Sequence, residues 1–168
     1  MTLAYFNNLA HDAALAELLR CCGARRWAEM MAQRRPFNSE AELFAVGEEI
    51  WQSLAPQDWR EAFSHHPKIG DLTSLRAKFA NTRQWSEGEQ AGVAGAAEDI
   101  LHALADGNEA YEKKFGFIFI VCATGKSAGE MLALLQQRLP NDPELELKIA
   151  AAEQAKITKL RLQKLLTA

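Results

Sequence analysis

From His11 to Cys22 the apolar residues Ala14, Leu15, Leu18, Leu19 and Cys22 return every three or four positions. That spacing stacks them on one face of an α-helix, and Gly23 can supply a left-handed cap that ends it. A second helix is expected over 24–33, stopped ahead of Pro36 because the residue before a proline is pushed out of helical conformation. Ser39 stands three positions before Glu42, the Ser-x-x-Glu form of a capping box, and Leu43, Val46, Ile50 and Leu54 then share one face. Pro56 suits the first turn of a helix over 56–63, which His65-His66-Pro67 cannot continue, so the paired histidines belong to a loop at a helix end. Further helices are expected over 71–79, over 86–107 through Ala91, Ala94, Ile100 and Leu104, and over 108–115 with an end at Gly116.

The period changes once. Phe117-Ile118-Phe119-Ile120-Val121-Cys122 is β-branched and aromatic throughout, yet no second such run exists to pair with it. It reads as a buried extended segment crossing a helical core, its backbone groups needing partners from side chains or from a ligand. Ser127 with Glu130 repeats the capping box before a helix to about Arg138, and Asp142-Pro143 opens a last one to about Leu166. No repeat, linker or low-complexity tract divides the chain. The expectation is one all-α domain over residues 1–168, a bundle of about eight to ten helices with one buried extended segment.

Composition supports a globular chain, 48% apolar and 24% charged over 168 residues. A domain of that length hides roughly 70% of the surface its unfolded chain exposes. A net charge of -3 provides no broad positive field for a phosphate backbone, which argues against nucleic acid. No apolar run approaches the ~20 residues of a membrane span, and the first eight residues lack the basic start and apolar core of a signal peptide. A soluble, intracellular protein, cytoplasmic by preference, is expected to act on something small or on another protein, with a homodimer left open. Cys21 and Cys22 are adjacent and Cys122 stands apart, so neither a disulfide framework nor a C-x-x-C metal pair is present.

Candidate chemistry is sparse and local. Gly125-Lys126-Ser127 has the tail of a phosphate-binding loop, but Ile120 occupies the place where the earlier glycine is required, and Ser127 is explained as a helix cap. His11, His65, His66 and His102 form no set at metal-ligand spacing. In Trp85-Ser86-Glu87-Gly88-Glu89-Gln90, Ser86 and Glu89 make a capping box, while Gln90 beside them at a helix start adds a group able to hold a small polar ligand. Arg161, among Ile157, Leu160 and Leu162, is either a solvated arginine or a two-point partner for a carboxylate or urea-like carbonyl.

Taken together these pieces have an order. Arg35-Pro36-Phe37, then His66-Pro67-Lys68-Ile69-Gly70, then Trp85-Ser86-x-x-Glu89-Gln90, then Tyr111-Glu112-x-x-Phe115-Gly116-Phe117, then Arg138-Leu139-x-Asn141-Asp142 and Arg161-Leu162 follow one another along nearly the whole chain. This arrangement resembles the 2-oxo-4-hydroxy-4-carboxy-5-ureidoimidazoline (OHCU) decarboxylase family. The resemblance implies a cofactor-free, all-helical carboxy-lyase of urate degradation that yields (S)-allantoin and CO2. It further implies His66 as proton donor and Glu89 as its catalytic companion. Pro67, Ser86, Glu87, Gly88, Gln90 and Arg161 would then contact substrate, with the main chain of Phe119, Ile120, Val121, Cys122 and Ala123 lining the site. A Glu89 carboxylate close to His66 would favour the imidazolium and raise its pKa. An inert binding module of the same fold, or a hydrolase using the same pair to activate water, stays open on the residues alone.

Overall fold

The computed structural model describes residues 1–68, 70–80 and 90–167, and the side chains of all of these except 90–96. Nine α-helices and no strand occur among them: α1 Leu3–Asn8, α2 His11–Cys21, α3 Arg25–Gln33, α4 Glu40–Ser53, α5 Pro56–Ser64, α6 Leu72–Phe79, α7 Gln90–Phe115, α8 Ala128–Arg138 and α9 Pro143–Thr167. The all-α expectation holds. The capping signals hold as well, with a variation. Ser127 accepts from Glu130 N at 3.2 Å and Glu130 accepts from Ser127 N at 3.0 Å, a complete box. Ser39 accepts from Glu42 N at 3.1 Å, but the Glu42 carboxylate turns to Asn38 N at 2.6 Å instead of to Ser39.

Two local expectations fail, each for a tertiary reason. The helices expected over 86–107 and 108–115 are joined in α7, with Gly107 inside it. A Cβ at Gly107 would lie 2.5 Å from Leu135 Cδ2, so glycine is what lets α7 and α8 approach. Gly23 does not adopt the left-handed conformation, which among the described residues only Gly116 and Gly125 do. Instead α2 ends with Cys22 extended at φ -143° and ψ 122°, and a Cβ on Gly23 would meet His65 Cβ at 2.5 Å. Helix α1 was not foreseen, because six residues with Phe6 alone buried carry no periodic signal.

The chain forms two compact units, Met1–His66 with Ile149–Ala168, and Pro67–Lys148. In the first, α3 packs on α2, α4 and α5 around Phe6, Leu18, Trp27, Met31, Leu43, Phe63 and Leu162. Burying each such side chain is worth ~1.5–3 kcal/mol. The indoles also carry hydrogen bonds inward, Trp27 Nε1 to Gly47 O and Trp51 Nε1 to Ala151 O, both at 2.9 Å. The Arg35-Pro36-Phe37 motif serves this unit. Arg35 Nη1 donates to Phe6 O and Leu9 O at 2.9 Å each, and Phe37 exchanges two backbone hydrogen bonds with the Asn7 side chain. The motif therefore clamps the end of α1 to the chain after α3.

In the second unit α7 packs on α6 and α8 around Leu101, Leu104, Tyr111 and Leu135. Tyr111, Phe115, Phe117 and Phe119 form an aromatic cluster, with Tyr111 edge-on to Phe119 at 5.2 Å between ring centres. Gly116, at φ 78°, turns the chain out of α7 into the segment they hold.

Candidate active site

His66 lies just past the end of α5. His65 closes that helix with its N–H on Ala62 O, His66 N donates to Phe63 O at 3.2 Å, and Pro67 bars further helix. The two histidines then diverge. His65 is exposed, its Cβ and ring against Gly23, whereas His66 is half-buried with Nε2 2.5 Å from Gln154 Oε1. Gln154 is fully buried and passes a second hydrogen bond from its Nε2 to Thr158 Oγ1 at 3.1 Å.

Burial lowers the pKa of His66 most; the Gln154 hydrogen bond opposes it, and the positive charges of Arg161 and His65 add to the lowering. The net direction is down. The raising effect expected of a nearby Glu89 falls on a residue outside the described ones. Burial also pushes the Cys21 and Cys22 thiols up to about 11, so both are neutral, inert core groups at ordinary pH.

Arg161 is half-buried on α9 and donates from Nη1 to Cys21 O at 3.3 Å, capping the carbonyl end of α2. Of the candidate residues, His66 and Arg161 thus belong to one neighbourhood of the first unit. Ser86, Glu87, Gly88 and Glu89 lie outside the described residues, and Gln90 is the first described residue of α7.

Pro67, exposed, begins the second unit. There Phe119, Ile120, Val121, Cys122 and Ala123 run without regular structure. Ile120 is buried and the other four are half-buried. Some of their backbone groups already have partners from the chain itself: Ile120 O accepts from Arg138 Nη1 at 2.7 Å, Cys122 O from Lys126 Nζ at 3.1 Å, and Ala123 O from Lys126 N at 3.0 Å. Arg138 is in turn held by Glu146, with Nε 2.7 Å from Oε1, and stacks over the Phe119 ring at 4.6 Å. Tyr111 donates to the same Glu146 oxygen at 2.5 Å, and Asn141 Nδ2 donates to the other at 3.0 Å. Burial and Glu146 drive the Tyr111 phenol far above its ordinary pKa, so it remains a hydrogen-bond donor.

Sequence reasoning missed Gln154, Thr158 and Glu146. A signal was present. Glu146, Ala150, Gln154, Thr158, Leu162 and Leu166 recur every four residues on α9 and are all buried, so three polar side chains interrupt an otherwise apolar stripe. Among the described residues no group of His, Cys, Asp and Glu is arranged to hold a metal ion.

Comparison with known proteins agrees with this architecture. The family model of OHCU decarboxylase matches residues 7–163. The chain is 42% identical over 147 residues to the uric acid degradation bifunctional protein TTL of Arabidopsis thaliana, covering 86% of this chain but 45% of that protein's length. It is 33% identical over 131 residues to the 2-oxo-4-hydroxy-4-carboxy-5-ureidoimidazoline decarboxylase of Amia calva, covering 77% of this chain and 73% of that one. A crystal structure of OHCU decarboxylase in the presence of (S)-allantoin superposes with a TM-score of 0.72 at 38% identity, over 90% of this chain and 98% of that one.

Proposed function

The chain belongs to the OHCU decarboxylase family, and we propose that it removes CO2 from 2-oxo-4-hydroxy-4-carboxy-5-ureidoimidazoline to leave (S)-allantoin. The observation that carries this reading is His66: one histidine of an adjacent pair drawn into a half-buried position and gripped through a single ring nitrogen by a fully buried glutamine. The substrate's carboxylate sits on a ring carbon beside a C=N unit. When the C–C bond to CO2 breaks, its electron pair spreads into the ring and then takes up a proton at carbon. The protein's tasks are to hold the ring and to deliver that proton to one face. An imidazolium can do the second, and a depressed pKa makes it the readier donor once charged.

In the same reading Glu89 orients the substrate hydroxyl, and Ser86, Glu87, Gly88 and Gln90 hold ring and ureido amides. Arg161 meets a carbonyl or carboxylate, while Pro67 and the main chain of Phe119, Ile120, Val121, Cys122 and Ala123 add contacts. The family match over residues 7–163 runs through both compact units, which supports treating them as one functional domain.

The test generates the labile substrate in situ from urate with the two preceding enzymes, adds this protein, and follows the appearance of optically active allantoin. Acceleration with one enantiomer formed is expected. His66→Asn, which keeps the volume but not the titratable ring, should lower the rate by ~10²–10⁴-fold. Racemic product at the spontaneous rate would refute the reading.

A further inference from the structure

We propose that Gln154 is the positioning residue that holds His66 through its Nε2–H and thereby makes Nδ1 the atom that surrenders the proton. The proposal rests on the proton-donor reading of His66 and deepens it. An imidazolium has two N–H donors and no acceptor. At the 2.5 Å contact its Nε2–H can be met only by the Gln154 oxygen. The Gln154 amide nitrogen then faces Thr158 Oγ1 at 3.1 Å. The donors run one way, from His66 to Gln154 to Thr158. Both residues behind His66 are buried, Gln154 fully.

Delivery from Nε2 would strip the buried Gln154 oxygen of its donor at the moment of reaction. Delivery from Nδ1 leaves the network unchanged. The Nδ1–H bond breaks and the C–H bond forms with the electron pair left by CO2. The ring stays behind as the neutral Nε2–H tautomer, ready to take a new proton on Nδ1 from water. Among the described residues, the charged and titratable neighbours that act on the ring are Arg161 from α9 and His65 from the adjoining turn, and both oppose its protonation; the Gln154 oxygen favours it.

The experiment combines nitrogen NMR of histidine-labelled protein, with His66→Asn to assign the resonance, and pH profiles of kcat and KM for wild type, Gln154→Met and Gln154→Glu. Wild-type His66 above its pKa should show a locked Nε2–H tautomer. Gln154→Met should release it to a mixture, lower kcat by about 10²-fold with KM little changed, as for a misplaced reacting group, and move the rising acid limb to lower pH. Gln154→Glu, which restores an acceptor and adds a negative charge, should return part of kcat and move the limb to higher pH. A structural role alone would not shift the limb in opposite directions. An Nδ1–H tautomer in wild type would overturn the proposal, and that measurement does not depend on either variant folding. Activity lost in His66→Asn but untouched in both Gln154 variants would overturn this proposal and leave the functional reading intact. A locked Nε2–H ring in a protein without decarboxylase activity would overturn both.

Discussion

His66 answers to two opposing demands. Its burial favours the neutral ring, while the proposed step consumes the charged one. The sign of each consequence follows. The folded pKa lies below the unfolded value near 6.5, so as pH falls the unfolded chain takes up the proton first. The stability that His66 contributes as a neutral group is complete above about pH 6.5 and is lost as pH falls from there through the folded pKa. The rate moves the other way, because the imidazolium fraction grows over the same range. Denaturant midpoints between pH 7.5 and 5 should therefore decline more steeply in wild type than in His66→Asn, while wild-type kcat/KM keeps rising below about pH 6.5. A profile already flat at pH 7 would mean that a negative group outweighs burial in the working enzyme. His65 shows the complementary case: identical chemistry one residue away, spent on filling the space above Gly23.

At the scale of elements, helix starts were legible where a side chain announces them. Ser39, Asp71 and Ser127 each accept a backbone N–H at their helix N-terminus, and Pro56 opens α5. Helix interiors and ends were less so, because glycine has several uses. Gly116 terminates its helix as expected, and its φ of 78° is the physical reason. Gly107 looks the same in sequence but is a point of close approach. Gly107→Ala should gain ~1 kcal/mol of helix propensity and lose ~1–3 kcal/mol to the clash with fully buried Leu135. The net expectation is a destabilised variant in urea unfolding; a more stable one would show that Leu135 yields freely. Glu146 gives a larger effect, since Arg138 is buried and depends on its charge. Glu146→Gln should cost ~3–5 kcal/mol, read in the same experiment, by leaving the guanidinium uncompensated.

For the whole molecule, the first unit is discontinuous: it requires the residues after Lys148 as well as the first sixty-six. Those later residues supply Gln154 to His66, Ala151 O to Trp51, Arg161 to Cys21 O and Leu162 to the core. A chain cut after Lys148 should lose the cooperative unfolding transition of this unit, followed by tryptophan fluorescence of Trp27 and Trp51. Retention of that transition would show that α2 to α5 suffice.

Periodicity, caps and prolines determined by themselves that the chain is all-helical, where most helices begin, and that His66 stands at a helix end rather than inside one. These are properties of neighbours in sequence, and local sterics and hydrogen bonding are enough to set them. The motif order also pointed to the family. Only the tertiary structure decided what each group touches. It assigned Gly23 and Gly107 to close contacts and gave Arg138 to the Ile120 carbonyl. It also set Gln154, eighty-eight residues away in sequence, against His66. Such pairings depend on which buried polar groups find partners once the core closes, and no window of sequence contains both ends.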